Sequence, residues 1–338
     1  MKIIFGTCIS GNGHQTQSIA MKQYLIDRGL NVVCNLVGKP FKNNLPKYFT
    51  DEFNIVQHES FDFVFDSVGR VIIWKTILSN VIRLPRLMVS FLNICKVINK
   101  EQPDFIFNYY EPLVGMTAIF FPRIKYVSIG HQYAMDSKVY PKIKGYAVQK
   151  FFLWIINKIT SIRAKKVALS YYEFNDDDMI VSPPLLRRES YVTLDKSEDF
   201  VLVYLMNEDM LPQLISEAHK YPNINLQCFT KLTKEHNVPS NLKLFNLDGK
   251  LFQEKMKVCR AVICSGGFET SAEAIYQNKP LLMIPMPNHY EQHANCNDAY
   301  LASFAVTSHD IDLNKIPKHQ LKNKQWFDRH TDVLNKLI

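Results

Sequence analysis

No two of the seven cysteines form a C-x-x-C pair, and most sit inside apolar runs, as Cys34, Cys228 and Cys264 do. That spacing excludes a zinc ribbon and a disulfide framework and fits a reduced, cytoplasmic interior. No apolar stretch approaches the roughly 18–20 residues needed to span a bilayer. The opening run Met1-Lys2-Ile3-Ile4-Phe5-Gly6 lacks the longer apolar region and small-residue cleavage site of a secretory leader, so it reads as a first strand. Low-complexity tracts and solenoid-period repeats are also missing. Acidic residues are scarce in one half. Residues 1–180 hold 22 Lys/Arg against 14 Asp/Glu, whereas residues 181–338 hold 18 of each, so the whole excess of +8 lies in the first half. Between Arg70 and Lys166 sixteen basic residues face only Glu101, Asp104, Glu111 and Asp136. Such a half suits an anionic partner. No RNA- or DNA-binding motif accompanies it, so nucleic acid is not the expected partner.

What is present is an alternation of short β-rich runs with longer helical ones, the pattern of parallel sheets joined by crossover helices. Strands are expected at Lys2–Cys8, Asn31–Leu36, Asp104–Tyr109, Ile124–Ile129 and Lys166–Leu169, with helices over His14–Arg28, Val71–Lys100 and Tyr146–Thr160. After Val181-Ser182-Pro183-Pro184 the alternation restarts, with strands at Phe200–Met206, Ile224–Thr230, Leu242–Phe245, Ala261–Cys264 and Leu281–Ile284. Two α/β domains of Rossmann-like design follow: 1–180, a linker over 181–195 placed on the prolines, and 196–338, whose last helix is open to packing back on the first domain.

Three motifs carry chemistry. Gly11-Asn12-Gly13-His14 joins the first strand to a helix, where glycines let backbone N–H groups approach an anion. A dinucleotide fingerprint would need a third glycine, where Thr16 stands, and an acid after the second strand, which ends near Asn35. His14 at the helix start is a candidate general base. The second motif, Ala261-Val262-Ile263-Cys264-Ser265-Gly266-Gly267-Phe268-Glu269-Thr270-Ser271-Ala272-Glu273, is a buried strand that turns through two glycines into a helix. Ser265, Gly266 and Gly267 would offer N–H groups to a diphosphate; Glu269 and Glu273 share a helical face, and Glu273 could accept two ribose hydroxyls. The third, Pro285–Asn295, opens a helix with Glu291-Gln292, a carboxylate and a carboxamide suited to a hexose. His289 and His293 have metal-like spacing but lack the adjacent glutamate and a third ligand.

The second and third motifs together resemble the nucleotide-sugar signature of the UDP-glycosyltransferase superfamily. They are similar in particular to the branch of peptidoglycan lipid II-forming N-acetylglucosaminyltransferases and its little-characterised prokaryotic relatives. The Gly11–His14 loop, Pro103–Pro112 and Ser128-Ile129-Gly130-His131-Gln132 extend the resemblance to the first half. It implies a GT-B fold, two Rossmann-like domains facing across a cleft, and transfer without a metal ion or other cofactor. Ser265, Gly266, Gly267, Glu269, Thr270, Glu273, Glu291, Gln292 and Asn295 would then bind the donor, a UDP-sugar being the donor class that the resemblance carries. Gly11, Asn12, Gly13, His131 and Gln132 would lie on the acceptor side, with His14 as base and Glu111 as the next candidate. Relatives that act on plant metabolites carry histidine in place of Ser265 and aspartate in place of Glu291.

Asp176-x-Asp178 mimics a metal–nucleotide motif of another transferase fold, but its polar surroundings read as a solvated loop. Val71–Ile98 contains no acid and mixes many apolar residues with Lys75, Arg83, Arg86 and Lys96, so it reads either as a basic core helix or as a surface for anionic lipid. Tyr146–Ile159 has the same character. A peripheral position at the inner face of a membrane would suit a lipid-held acceptor. Two other functions fit the same motifs: a nucleotide-sugar epimerase, and a non-catalytic subunit that binds nucleotide sugar.

Overall fold

The computed structural model describes residues 1–9, 12–39, 45–62, 64, 72–192, 194, 197–206, 208–318 and 325–337. The chain forms two compact units. The first comprises Met1–Tyr140, Lys144–Arg187 and Arg329–Ile338; the second comprises Pro141–Ile143 and Arg188–Asp328.

In chain order the first unit contains β1 (Lys2–Cys8), α1 (Gly13–Ile26), β2 (Asn31–Lys39), α2 (Lys47–Thr50), β3 (Ile55–Glu59), α3 (Ile73–Ile82), α4 (Leu84–Glu101), β4 (Phe105–Tyr109), α5 (Pro112–Thr117), β5 (Lys125–Gly130), α6 (Ala147–Thr160), β6 (Lys165–Leu169) and β7 (Ile180–Ser182). The second contains β8 (Val201–Tyr204), α7 (Leu211–Lys220), β9 (Leu226–Phe229), β10 (Leu242–Phe245), α8 (Gly249–Val258), β11 (Ala261–Ser265), α9 (Phe268–Tyr276), β12 (Leu281–Ile284), α10 (Tyr290–Leu301), β13 (Val306–Thr307) and α11 (Gln325–Asp328). The chain then returns to the first unit as α12 (His330–Asn335).

Both sheets are parallel throughout. Their orders are β3-β2-β1-β4-β5-β6-β7 and β10-β9-β8-β11-β12-β13. Parallel strands covered on both faces need unbroken apolar runs. β1 accordingly buries Ile3, Ile4 and Phe5, and β12 buries all of Leu281–Ile284. In each sheet the winding direction reverses beside the first strand, between β1 and β4 and between β8 and β11. A crevice for ligands opens at the carboxyl ends of strands at such a point.

Ile4, Leu36 and Ile106 pack under Leu87, Ile94 and Ile98 of α4, while Ile19 of α1 meets Val37 and Phe49. In the second unit Val201, Val203, Ile263, Leu282 and Ile284 share a core with Leu211 and Leu214 of α7.

Several expectations need correcting. The single helix over Val71–Lys100 is two helices that part at Arg83, because Pro85 supplies no N–H and its ring crowds the preceding turn; Val71 lies outside the described residues. β3, β7 and β13 go beyond the expected strands. β7 pairs with β6 up to Ser182, so regular structure enters the stretch read as linker, and Ser182–Leu186 are buried. The change of unit falls between Arg187 and Arg188. The solvated loop expected at Asp176–Asp178 is found as a surface turn, in which Asp176 Oδ1 accepts from Asp178 N at 2.9 Å.

Candidate functional site

The second unit's reversal point is built by β8, β11 and the turn into α9. Ser265 closes β11 and is almost wholly buried; its Oγ accepts the Met206 N–H at 3.3 Å, joining the ends of β8 and β11. Gly266 must be glycine. A β-carbon there would stand 2.6 Å from the Gln292 carbonyl oxygen and 2.9 Å from Cys296 Sγ, so α10 rests directly on the turn. A β-carbon on Gly267, in contrast, would meet nothing nearer than 3.9 Å. Gly267 is the N-cap of α9 and has no side chain to bond the first-turn N–H groups. A helix start of this kind presents backbone N–H groups and the positive end of the helix dipole, both of which favour an anion. Glu269 and Thr270 lie half-buried in that first turn.

Glu273, one turn further, is 3% exposed. Ser190 Oγ donates to its Oε1 at 2.8 Å and Gln253 Nε2 donates to its Oε2. A carboxylate has about four acceptor sites, so two such bonds fix its direction without exhausting it. Neither Ser190 nor Gln253 is marked by any sequence motif, and both lie far from Glu273 along the chain.

At the end of β12, His289 caps α10 by accepting the Gln292 N–H at 3.4 Å. Glu291 is half-buried in the helix's first turn. Gln292 is 2% exposed, and its Oε1 accepts the Met286 N–H at 2.9 Å. Asn295 donates through Nδ2 to the Gly266 carbonyl at 2.8 Å. Gln292 and Asn295 thus hold the loop after β12 and the turn after β11 in place. Burial lowers the pKa values of His289 and His293, with His309 adding to the effect on His293. Among the described residues no group of three metal-ligating side chains forms.

The first unit's reversal point carries the other group of candidates. Gly11 lies outside the described residues. Asn12 is exposed and caps α1 through its backbone, its carbonyl accepting from Thr16 N at 3.1 Å. Gly13 starts α1, and the next five side chains, His14 to Ser18, are polar and buried. His14 Nδ1 faces Gln17 Oε1 at 3.4 Å, and its ring stacks on Tyr110 with centroids 5.2 Å apart and planes at 15°. Burial lowers its pKa from 6.5 to about 4, against a small upward pull from Gln17. His14 is therefore a neutral imidazole at pH 7.

Glu111 has a different assignment. It is fully buried and caps α5, its Oε2 accepting the Val114 N–H at 2.6 Å, while Oε1 takes the Ser60 hydroxyl and stands 3.3 Å from His58 Nε2. Gly38 makes room for it, since a β-carbon there would collide with the carboxylate. His131 and Gln132 are also buried. His131 Nδ1 bonds the Leu169 carbonyl at 2.8 Å between Tyr140 and Tyr171, and the Gln132 carbonyl accepts from Asn157 Nδ2 at 3.1 Å.

Comparison with known proteins fits these features. A transferase of Pelagibacter ubique (strain HTCC1062), UDP-N-acetylglucosamine–N-acetylmuramyl-(pentapeptide) pyrophosphoryl-undecaprenol N-acetylglucosamine transferase, is 28% identical over 210 residues. The match covers 56% of this chain and 53% of that protein, so it spans about half the relative's length. Among solved structures, UGT89C1 of Arabidopsis thaliana, complexed with UDP-L-rhamnose, superposes with a TM-score of 0.62 at 13% identity, over 99% of this chain and 92% of that one. MurG of Acinetobacter baumannii does so at 0.54 and 13%, over 91% and 85%. These likenesses show the fold, GT-B. The family profile of Glycosyl transferase family 1 matches residues 1–323, and the chain belongs to that family.

Proposed function

We propose that the chain is an inverting, metal-independent glycosyltransferase that moves a sugar from a UDP-sugar to a hydroxyl of a lipid-linked or cell-envelope acceptor. The observation that carries this reading is the Ser265–Gly267 turn, which leads into a helix with a glycine N-cap at the reversal point of the second sheet. Backbone N–H groups there would stabilise the departing diphosphate, the role a cation plays elsewhere. Glu273 is oriented for ribose hydroxyls, and Glu291 with Gln292 supplies acceptor and donor groups for the sugar. On the first unit, neutral His14 can take the proton of an acceptor hydroxyl as it attacks the anomeric carbon. In-line attack inverts that centre. The choice of UDP draws on the names of the relative and of the UDP-L-rhamnose complex.

A peripheral, cytoplasmic-face position is part of the same reading. Among the described residues no helix is long and apolar enough to cross a membrane. α4 buries Leu87, Ile94 and Ile98 but leaves Met88, Val89 and Leu92 exposed; α3 exposes Trp74, Ile77 and Ile82, and α6 exposes Phe151 and Trp154. With Lys75, Arg86 and Lys96 exposed beside them, the helices match an anionic lipid surface.

The test is release of nucleoside diphosphate from a panel of UDP-, dTDP- and GDP-sugars, with and without EDTA and a membrane-lipid extract. UDP release that survives EDTA and rises with lipid is the expected result. Absence of both binding and turnover across every nucleotide sugar tried would overturn the donor assignment.

A further inference from the structure

The orientation of His14 is set by a ring and not by an acid. Its side-chain hydrogen bond to Gln17 is long, at 3.4 Å, and fixes the imidazole weakly. No ion pair reaches it among the described residues. Glu111, the other candidate base, is turned to Val114, Ser60 and His58. The plane of Tyr110 lies against the imidazole instead, at 15° and 5.2 Å.

Tyr110 is itself held from three sides. Its backbone has φ of 63°, the left-handed region that a bulky residue adopts only when its surroundings demand it. Its hydroxyl donates to Asn157 Oδ1 at 2.6 Å, and Asn157 in turn holds the Gln132 carbonyl. Tyr133, fully buried, meets the ring edge-on at 5.8 Å. A strained backbone at the end of β4, an anchored hydroxyl and a locked ring all serve one face, the one against His14.

We propose that Tyr110 is a positioning residue for His14, a stacking platform that sets the plane of the imidazole and shields it from water. The inference deepens the reading of His14 as the base and rests on it for its kinetic consequence, though not for its structural one. Burial already holds the His14 pKa near 4, and the Tyr110 ring forms one wall of that burial.

The test uses the full chain with Tyr110→Phe and Tyr110→Gly, histidine side-chain NMR titration, and pH profiles of kcat/KM. Tyr110→Phe keeps the stack and loses the anchor to Asn157, so His14 continues to titrate near 4 while kcat falls a fewfold, about 3–10, without a change in KM. Tyr110→Gly relieves the left-handed backbone, which offsets part of the cost of emptying the ring's site, and it removes the platform. His14 then titrates above 4, shifted towards its ordinary 6.5, the acid limb of kcat/KM moves up with it, and kcat drops about 10–100-fold at constant donor KM. A Tyr110→Gly protein in which His14 still titrates near 4 overturns the proposal, as does one with kcat within about twofold of the parent. Should the glycine variant fail to fold, an unchanged kcat in Tyr110→Phe overturns the anchoring by itself. Full turnover in His14→Ala would sink the base assignment instead and leave the NMR result to judge the platform.

Discussion

Acidification will unfold the first unit partly through His14, and the size of the effect can be worked out. The imidazole is 7% exposed, and burial lowers its pKa from 6.5 to about 4. Because the folded value lies below the unfolded one, the unfolded chain binds the proton more tightly. The stability His14 contributes as a neutral group is therefore complete above about pH 6.5 and lost as pH falls towards 4. At 1.36 kcal/mol per pH unit the full loss is about 3 kcal/mol, of which about 2 kcal/mol has gone by pH 5. That is a sizeable share of the 5–15 kcal/mol typical of a folded domain. Other histidines and the carboxylates also titrate here, so the informative quantity is a difference. Urea unfolding of the parent and of His14→Gln, measured every half pH unit from 7 to 4.5 with a probe in the first unit, will show a shallower loss in the variant, by about 2 kcal/mol at pH 5. Parallel curves for the two proteins would refute the claim that this imidazole is buried and neutral.

The two reversal points allow three further tests. Gly266→Ala drives a methyl group against the Gln292 carbonyl, a backbone atom that cannot swing aside, and will destabilise the second unit by about 1–3 kcal/mol in thermal melts while abolishing UDP-sugar binding in calorimetry. Glu273→Gln keeps the shape but turns an acceptor into a donor facing Ser190 or Gln253; donor KM will rise about tenfold, more than kcat falls. Glu111→Ala removes the α5 cap and leaves Ser60 and His58 without their partner, costing about 2–4 kcal/mol in chemical denaturation. The surviving folded fraction will keep its specific activity, which separates this carboxylate from the chemistry.

The parts of the fold that are readable in the sequence are those whose cause is local. β11 and β12 are unbroken apolar runs because both of their faces are covered, and such runs announce themselves in any parallel sheet. The turn at Ser265–Gly267 is readable for a related reason: a glycine pair between a buried strand and a small-residue helix marks a close backbone approach. β3 and β13 leave little signal, since Ile55–Glu59 is polar in its second half and Val306–Thr307 is only two residues long, and both are edge strands. The break before Pro85 is marked by the proline itself, but the apolar pattern on either side masks it. Site residues divide the same way. Glu111 stands directly before Pro112, the arrangement of an N-cap followed by proline at the first helical position, so a capping role is as legible as a catalytic one. Ser190 and Gln253 reach Glu273 only through tertiary folding. The left-handed backbone of Tyr110 leaves no trace in a tyrosine's one-letter code.

Residues 329–338 bear on how the chain matures. α12 belongs to the first unit: Asn335 accepts the Tyr24 hydroxyl at 2.7 Å and Arg28 at 2.9 Å, while Arg329 pairs with Glu173 at 2.5 Å. Val333 and Leu334 are buried there. During vectorial synthesis the unit that emerges first is thus the one completed last, after the whole of the other has been made. Until then the surface that α12 covers near β7 and α1 stays without that cover. Cutting the gene at the codon for Arg187 would reproduce that half-finished state permanently, so a stable fragment of the first unit requires the segment from Arg329 onward to be grafted back.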